Sequence, residues 1–417
     1  MTVATTGEDQ WRALAPQVLA RLLRAYGSDQ LDACEDAVQE AMAEAYVAWP
    51  AKPPTDPLAW LVTVARRRYV DHVRSDVRRR ARETRESALL SPLLDAAPGK
   101  EDDSLEMLQL CCHPTLTPSA QITLTLRAVA GLTTQQIGAA MLLPEATVAQ
   151  RITRAKRRIV NAGNAFPSPD SPDDRLDPVL SVLYLMLTEA HHTATGQPAY
   201  DVDLGDEAVR LTRLVHRAHP RDSEVTGLLA LMLLTIARRD ARISEGELVP
   251  LADQDRSLWR RDFVTEALAL LEATVPGATP GPYLLQACIA AIHASAADTD
   301  TTDWREIAAL YRALEQVSPD NPAVRLNRIA AEAMVLGNAH GLRELDRLEA
   351  DHPEVPRLSS VRAHLLQRVG DREAAAAAYR RAIEQATNIA EQRQLTHRLR
   401  EVTGNDADTG CPLSGRP

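Results

Sequence analysis

One Arg-rich stretch of the chain has side chains suited to reading base pairs. In "LLPEATVAQRITRAKRRI" (142–159), five of the last nine residues are basic and none of those nine is acidic. Glu, Thr, Gln and Arg can all recognise base edges in the major groove. Val148, Ile152, Ala155 and Ile159 recur at helical spacing and form one inward stripe. The residues left facing outward, which we predict to contact DNA, are Glu145, Thr147, Gln150, Arg151, Arg154, Arg157 and Arg158.

A second predicted helix precedes this one at the spacing of a helix-turn-helix. Thr133 and Gln136 form a capping-box pair at its start. Pro144 suits the first turn of the second helix, where its missing N–H is not needed. The second helix of such a pair enters the major groove by its N-terminal end, so Glu145 to Arg151 would read bases. The residues farther along, which we expect to contact phosphates, are Arg154, Lys156, Arg157 and Arg158. A solvated basic face on a helical bundle is the alternative, which the cap, the turn and the proline together disfavour.

Another basic stretch and an acidic face lie earlier in the chain. From Trp60 to Arg85 there are nine basic residues and three acidic ones, with an apolar stripe at helical spacing. This is the pattern of an amphipathic helix with a cationic outer face. Upstream, "LDACEDAVQEAMAEAY" places Asp36, Gln39 and Glu40 on one exposed face. Because surfaces of opposite charge attract different partners, we expect the acidic face to bind something other than nucleic acid.

Length, charge and cysteine usage limit the classes to which the protein can belong. A chain of 417 residues is long enough for two to four domains. Residues 1–169 carry 20 Lys+Arg and 19 Asp+Glu, whereas residues 170–417 carry 27 and 38, so the balances are +1 and −11. The five cysteines are scattered and the first residues lack a signal-peptide core. The longest apolar run is far shorter than the roughly 20 residues of a spanning helix. We therefore expect a cytoplasmic protein with no membrane role.

The hydrophobic pattern is helical along almost the whole chain. Apolar residues recur three and four positions apart and runs of β-branched alternation are missing, which predicts an all-α fold. Breaks rich in Gly, Pro or acidic residues fall at 26–29, 49–57, 91–104 and 166–178. Beyond these breaks we expect about ten amphipathic helices joined by short turns, the pattern of stacked helical hairpins.

The clearest repeat signature lies near the C-terminus. "AHLLQRVGDREAAAAAYRRAIE" places Gly370 at a turn, followed by Ala375, Tyr379 and Ala382 at helical spacing. Small residues at a helix crossing with an aromatic side chain four residues on are typical of tetratricopeptide-like (TPR-like) hairpins. A weaker echo, "AAEAMVLGNAHGLRELDRLEADHP", precedes it. The sequence therefore predicts a C-terminal α-helical TPR-like hairpin array.

These segments together resemble a known family. "DAVQEAM" and "AWLVTVARRRYVDHVR" look like region 2 of extracytoplasmic-function sigma factors, and "CCHPTLTPSAQITLTLRAVAGLTTQQIGAAMLLPEATVAQRITRAKRRI" looks like their region 4. The long extension, with "VPLADQDRSLWRRD" and "GPYLLQACIAAIHA", is similar to the subgroup that carries a TPR-like C-terminal domain. The resemblance covers about residues 11–402, in matching order and spacing.

The resemblance implies a role for each face. It implies that Asp36, Gln39 and Glu40 dock on the β′ clamp helices of core RNA polymerase, that region 4 meets the β flap, and that the 145–158 helix reads the −35 element of promoter DNA. The residues it implies for capturing and melting the −10 element are Lys52, Trp60, Arg66, Arg67, Asp71 and Arg74. Because the polymerase supplies the nucleotide chemistry, we expect no catalytic residue, no cofactor and no metal, and hence not an enzyme.

Domain boundaries follow from the breaks and the resemblance. We predict region 2 over 1–88, a linker over 89–103, region 4 over 104–165, a linker over 166–177, a TPR-like extension over 178–402 and a flexible tail over 403–417. The chain departs from its relatives at "LTEAHHTATG", where it keeps Glu189 but places His191 and His192 in a segment that tends to read Asn-Glu-Gly-Tyr in the family.

Two further motifs have competing interpretations. "CCHP" (111–114) offers two thiols and an imidazole, but adjacent cysteines suit zinc poorly, so we favour a packed helix end. "DQDRSLWRRD" (253–262) is either a salt-bridged helix start with a buried Trp or a regulatory contact surface toward the rest of the chain or a partner. The residues of that second interpretation are Asp253, Asp255, Arg256 and Trp259.

Other function classes remain open at this point. A one-component helix-turn-helix regulator with a TPR-like sensor explains the 144–158 helix but leaves the second basic stretch and "EDAVQEAM" without a role. An enzyme is disfavoured because the chain has no glycine-rich phosphate loop and no nucleophile elbow. The acidic C-terminal half suggests a regulator within the chain, lying against the basic helices until polymerase or a signal intervenes; transcription by a chain truncated after residue 165 would test this.

Overall fold

The fold is given by a computed structural model. It describes residues 7–27, 30–50, 52–83, 104–141, 143–162, 176–193, 204–244, 247–386 and 389–404. In the described part of the chain almost every element is a helix, so the predicted all-α class is confirmed apart from one two-stranded ribbon.

Eight helices precede residue 194 in the described ranges. Their bounds are α1 Gly7–Tyr26, α2 Leu31–Ala48, α3 Pro57–Glu83, α4 Ser104–Cys111, α5 Pro118–Ala128, α6 Thr134–Ala140, α7 Glu145–Asn161 and α8 Leu176–Thr193. The helix breaks fall where Gly and Pro disfavour helix continuation, as at Gly27, whose φ is +95°.

Ten more helices follow, with a short ribbon among them. Their bounds are α9 Leu204–Ala218, α10 Ser223–Ala237, α11 Arg261–Thr274, α12 Pro282–Ser295, α13 Trp304–Val317, α14 Pro322–Leu336, α15 Asn338–Asp351, α16 Leu358–Val369, α17 Arg372–Gln385 and α18 Ile389–Thr403. The strands β1 (Ile243–Ser244) and β2 (Glu247–Leu248) pair antiparallel.

The chain divides into two compact units near the start of α9. The first unit includes α1 to α8, so α8 packs with the preceding helices, whereas the sequence predicts a separate extension from residue 178. The reason is packing: α8 lies against α4, α5 and α6. Its buried side chains are Leu176, Val179, Leu180, Val182, Leu183, Met186 and Leu187. Burying a Leu-sized side chain contributes about 1.5–3 kcal/mol, so this face holds α8 firmly to the first unit.

In the second unit, α10 and α12 cross at very short range. A Cβ on Gly227 would lie 2.5 Å from the Leu284 backbone, so only glycine allows this approach. The Glu224 carboxylate accepts hydrogen bonds from the backbone N–H groups of Tyr283 (2.9 Å) and Leu284 (3.0 Å) and thereby caps α12 from a neighbouring helix. Desolvation raises the pKa of Glu224 although those same N–H groups act to lower it.

Successive helices of the second unit then pack onto one another in sequence order. Apolar clusters join α12 to α14, α14 to α16, and α16 to α18. The predicted repeat is confirmed: Gly370 ends α16 with φ +84°, and Ala375, Tyr379 and Ala382 are buried in the last cluster. The Tyr379 hydroxyl donates to Gln367 Oε1 at 2.6 Å. The predicted array of nested TPR-like hairpins is therefore the architecture of this unit.

No helix in the described ranges has both the length and the apolar composition needed to span a bilayer.

Candidate nucleic-acid interface

The helix-turn-helix is built by α6 and α7. The Thr133 N–H donates to Gln136 Oε1 (2.9 Å) and the Gln136 N–H donates to Thr133 Oγ1 (3.1 Å), which confirms the capping box. A residue that the sequence analysis passed over fixes the turn: a Cβ on Gly138 would lie 2.7 Å from the Leu143 carbonyl oxygen. A glycine near the end of the first helix of the pair was the available signal in the sequence.

The face of α7 predicted to point inward does so. Val148, Ile152, Ala155 and Ile159 are at most 7% exposed, which confirms the stripe. The outward residues that are exposed are Glu145, Thr147, Gln150, Arg154, Arg157 and Arg158. They form a continuous polar surface along the helix, because residues three and four apart are neighbours on a helix face.

Two of the residues predicted to contact bases form hydrogen bonds with neighbouring helices. Glu145 Oε1 accepts a hydrogen bond from Thr134 Oγ1 at 2.7 Å. Arg151 is half-buried and its Nη1 donates to Ser119 Oγ at the start of α5. Both bonds restrict rotamers at the N-terminal half of α7, which is the end that enters a groove in this motif.

Lys156, which was predicted to contact phosphate, instead pairs with carboxylates of α2. Its Nζ lies 2.5 Å from Asp32 Oδ1 and 2.5 Å from Glu35 Oε2, both on α2. Burial acts to lower the pKa of Lys156, but the carboxylates of Glu35 and Asp32 outweigh it, so the pKa is raised and the ammonium keeps its charge. Arg127 of α5 reaches the same glutamate, with Nε 3.0 Å from Glu35 Oε1.

The second cationic surface lies on α3 and the loop before it. Lys52, Arg67 and Asp71 are exposed, and Trp60 and Arg66 are half-buried. The side chain of Arg74 lies outside the described residues. The ring of Trp60 packs edge-on against Trp49, with centroids 5.6 Å apart. The Asp56 carboxylate accepts the Ala59 N–H at 3.0 Å and fixes the start of α3 next to the Pro-rich loop.

The acidic face of α2 is open at two of its three predicted positions. Asp36 and Gln39 are exposed. Glu40 is exposed as well but its Oε1 lies 2.8 Å from His72 Nε2, and its Oε2 lies 3.7 Å from Arg68 Nε, both on α3. These contacts tie the acidic face to the helix that carries the second cationic surface.

Two large apolar residues extend that face, and the sequence analysis missed them. Tyr46 is 74% exposed and Val47 is 78% exposed. They follow Gln39 and Glu40 at the i+7 spacing of a single helix stripe, which was the signal available in the sequence. Exposed aromatic and branched side chains beside polar ones are typical of protein docking surfaces.

A cleft of about 490 Å³ runs along this stripe. One wall belongs to α2 and includes Gln39, Met42 and Tyr46. The opposite wall belongs to the segment from Ala128 to Gln136, between α5 and α6. Glu35 and Arg127 line the same cleft, so the ion pair closes one side of it.

The motif at 253–262 is built into the second unit. Trp259 is 6% exposed, with the Arg256 guanidinium 4.8 Å from its ring centroid. Arg256 Nη1 also donates to the carbonyl oxygens of His293 and Ala296 at 2.6 Å each and so caps the end of α12. Asp255 caps the turn that follows it through the Ser257 N–H at 2.8 Å.

Asp253 is the outer member of the motif and pairs with Arg398 of α18 at 2.7 Å. A buried Trp and a capping Arg give this motif a packing role. The use of Asp253, Asp255, Arg256 and Trp259 as a regulatory surface stays a prediction, and of these four residues Asp253 and Asp255 are exposed.

The paired cysteines end α4 inside the first unit. Cys111 and Cys112 are 1% and 2% exposed, which confirms the packed helix end. Burial raises the pKa of Cys112 to about 12 and also raises that of Cys111. The side chains of Glu189, His191 and His192 lie outside the described residues.

Comparison with family models matches three segments of the chain. Residues 11–79 match Sigma-70 region 2, residues 109–159 match Sigma-70, region 4, and residues 175–275 match a family of unknown function (DUF6596). The first two matches contain the α2 to α3 surfaces and the α6 to α7 helix-turn-helix, respectively, and the third begins at α8.

Two individual proteins are similar to this chain over long stretches. Uncharacterized protein R00370 of Rhizobium meliloti (strain 1021) is 40% identical in an alignment of 411 positions that covers 94% of this chain and 95% of that protein. The crystal structure of TTC0263, a thermophilic TPR protein of Thermus thermophilus, aligns over 53% of this chain and 98% of that chain at 18% identity, with a TM-score of 0.35, too low a value to assign a fold.

Proposed function

The chain belongs to the sigma-70 family, as a member with a C-terminal extension, and we propose that it binds core RNA polymerase and directs it to promoters. In this proposal region 2 (residues 11–79) engages the polymerase and the −10 element, and region 4 (residues 109–159) reads the −35 element. Such a protein acts in the cytoplasm, where the polymerase is, and contributes binding while the polymerase carries out the chemistry.

The observation that carries the proposal is the separation of three surfaces on three helices. An acidic and apolar stripe lies on α2, a cationic surface on α3, and a polar reading surface on α7. A repressor needs only the last of these. A stripe that combines Asp36, Gln39, Tyr46 and Val47 offers both charge for steering and apolar area for affinity, which suits a protein partner.

The DNA chemistry is divided along α7. Gln150 and the anchored Arg151 lie at the end that reads bases, where a bidentate contact discriminates by about 1–3 kcal/mol. Arg157 and Arg158 lie at the other end, where contacts to phosphate add affinity for every sequence. On α3, Arg66 and Arg67 supply backbone contacts beside the Trp60 ring, and stacking on an aromatic side chain stabilises an unpaired base by about 1–3 kcal/mol.

The β flap is the polymerase element proposed for region 4, and the β′ clamp helices are proposed for α2. The extension is proposed to modulate activity. Its acidic balance makes a contact with basic surfaces of the chain or of a partner favourable.

The decisive experiment is gel filtration of the full chain with core RNA polymerase. We expect co-elution for the parent and its loss for Asp36→Arg combined with Tyr46→Asp. Glu272→Arg is the matched control, because Glu272 is an exposed helical acid that belongs to the second unit and not to α2. Initiation on a randomised promoter library then identifies the −35 and −10 preferences. Promoter binding by a chain that never co-elutes with polymerase would contradict the proposal and indicate a one-component regulator.

A further inference from the structure

The segment around Arg256 is fixed to the ends of two helices of the second unit that pack against each other, α10 and α12. The Arg260 N–H donates to the Ala237 carbonyl oxygen at the end of α10, at 2.9 Å. Arg256 Nη1 donates to the carbonyl oxygens of His293 and Ala296 at the end of α12, at 2.6 Å each. The segment is therefore held in place at both helix ends.

Two guanidinium groups share the buried ring of Trp259 at this place. The Arg256 guanidinium lies 4.8 Å from the ring centroid. The guanidinium of Arg238, the residue that caps the C-terminal end of α10, lies 6.0 Å from the same centroid. Because both distances start at one point, the two guanidinium groups are at most about 11 Å apart. They are close enough for one bound anion to interact with both.

The charges around these groups are positive. Burial, together with the charges of Arg242 and Arg256, lowers the pKa of Arg238 from the ordinary 12.5 to about 10, so it stays charged at neutral pH. Burial and the charges of Arg238 and Arg256 lower the pKa of His293 to about 4, so its imidazole is neutral. In the described part of the chain neither Arg238 nor Arg256 forms an ion pair with a carboxylate. Like charges repel more strongly at a buried site than in water, which favours the binding of an anion.

The nearby carboxylates do not neutralise this charge. Asp240, two residues after Arg238, is exposed and is not among the charges that act on that guanidinium. Asp255 is exposed and accepts a backbone N–H of the turn that follows it at 2.8 Å. Asp298 is exposed and accepts an N–H and a hydroxyl group of its own loop. The charge of Arg256 is the smallest of the causes that lower the pKa of Asp298, so the two interact only weakly.

The same three side chains have donors that their known contacts do not use. The Trp259 Nε1–H is buried and finds no acceptor among the residues that the structure describes. Arg256 caps α12 through Nη1 alone, whereas a guanidinium carries five N–H donors. The described contact of the Arg238 side chain is with the ring of Trp259. Buried donors in proteins nearly always have an acceptor, so capping and stacking leave part of this arrangement unexplained.

We propose that Arg238, Arg256 and Trp259 form a binding site for the phosphate group of a small molecule. A phosphate group offers at least three acceptor oxygens and a charge of about −2, which match three donor groups and two positive charges. Guanidinium groups suit phosphate because their N–H donors form a planar fork. A carboxylate has two oxygens and one charge and would leave donors unused. The site lies in the extension, so the proposal does not depend on binding of polymerase or promoter.

Isothermal titration calorimetry of the full chain with inorganic phosphate tests the site. We expect binding with a dissociation constant of about 1 mM or tighter at low ionic strength. Adenosine diphosphate and acetate are titrated in parallel. Tighter binding of adenosine diphosphate than of inorganic phosphate supports a phosphate ester as the natural ligand, and the opposite order supports the free ion. Acetate that binds as tightly as both phosphates, or a chain that binds neither phosphate, overturns the proposal.

Variants locate the binding. Arg238→Gln is expected to weaken phosphate binding by at least about tenfold, because a charged donor group is lost. Trp259→Phe keeps an aromatic ring and removes only the Nε1–H, so it should weaken binding several-fold while circular dichroism shows unchanged helical content. Arg261→Gln is the matched control, since Arg261 is exposed in the same stretch of chain and should leave the affinity unchanged. Affinity that is unchanged in both site variants, or that falls equally in the control, overturns the proposal.

The imidazole of His293 provides a second measurement on the parent chain, which does not depend on whether a variant folds. A phosphate bound between Arg238 and Arg256 offsets two of the charges that lower the pKa of His293. That pKa should therefore rise from about 4 toward the ordinary 6.5 when phosphate is saturating. Proton NMR titrations of the histidine rings measure it, with the His293 resonance assigned by its loss in His293→Gln. A His293 titration that saturating phosphate leaves unchanged places the bound ion elsewhere and contradicts the site.

Discussion

Arg151 on the reading helix donates a hydrogen bond to Ser119 at the start of α5. The bond joins the residue expected to meet a base edge to the helix behind it. A guanidinium whose rotamer is fixed before binding loses less conformational entropy on contact. We therefore predict that Ser119 positions Arg151 for DNA recognition, a role that nothing in its local sequence marks.

Substitutions along α7 should separate base reading from phosphate binding. Arg151→Ala and Gln150→Ala are each expected to relax the −35 preference at one base pair, with a loss of about 1–3 kcal/mol of discrimination. Arg158→Ala should weaken binding to all sequences alike and reduce the slope of log affinity against log salt by about 1. Binding of the polymerase holoenzyme to single-base promoter variants at several salt concentrations measures both quantities.

Removal of the hydrogen bond between Ser119 and Arg151 should have an intermediate effect on base-pair preference. Ser119→Ala leaves the Arg151 guanidinium in place without its partner, so it should relax the same base-pair preference by less than Arg151→Ala does. Thr153→Ala is a suitable control, since Thr153 bonds only to its own helix, at the Ala149 carbonyl oxygen, in the described contacts. A change of preference at a different base pair in Ser119→Ala would contradict a positioning role.

The crossing of α10 and α12 should tolerate no side chain at Gly227. Gly227→Ala places a methyl group 2.5 Å from Leu284 backbone atoms and is expected to destabilise the second unit by about 1–3 kcal/mol. Gly277→Ala meets nothing within 4 Å and should be close to neutral. The urea concentrations at the midpoint of unfolding, measured by circular dichroism, compare the stabilities of the two variants. Equal midpoints would show that the helices shift apart without penalty.

Stability should fall in mildly acidic solution because of His293. Burial, together with the charges of Arg238 and Arg256, lowers its pKa from the ordinary 6.5 to about 4. The unfolded chain therefore binds the proton first, so stability is complete above about pH 6.5 and is lost as the pH falls toward about 4. The loss reaches on the order of 3 kcal/mol at 1.36 kcal/mol for each pH unit.

The variant His293→Gln should show a shallower decline over the same pH range. Some decline will remain, since burial and nearby arginines also lower the pKa values of His216 and His364. Urea titrations at pH 7.5, 6.0 and 5.0 give the two slopes. Identical slopes for the parent and His293→Gln would exclude His293 as the source.

Because α8 packs in the first unit, the residue at which the chain is truncated determines how a loss of transcription is interpreted. A chain that ends at residue 165 lacks α8 and exposes the apolar surfaces of α4, α5 and α6 that α8 covers. We expect it to melt at lower temperature and to aggregate, whereas a chain that ends at residue 193 should keep a stable first unit. Thermal melts and light scattering compare the two. Loss of transcription in the shorter chain alone would then reflect instability, while loss in both would show that the second unit is required.

Local sequence patterns determined much of the fold and of the reading surface. The inward stripe of α7, the Thr133–Gln136 capping box and the turn at Gly370 all depend on residues within a few positions of one another. Helical periodicity and capping act over that range, so the sequence alone predicts which face is buried and where a helix begins. The acidic and cationic faces of region 2 followed from the same periodicity.

Tertiary structure alone decided where charged residues at the edge of a face go. Lys156 borders the buried stripe of α7, and periodicity does not distinguish a phosphate contact from an ion pair with Glu35, which is 121 residues away in sequence. The burial of Trp259 beneath Arg256 and the packing of α8 in the first unit likewise depend on tertiary contacts. Such contacts depend on which helices meet, and that is set by the summed packing of distant segments, which no local pattern encodes.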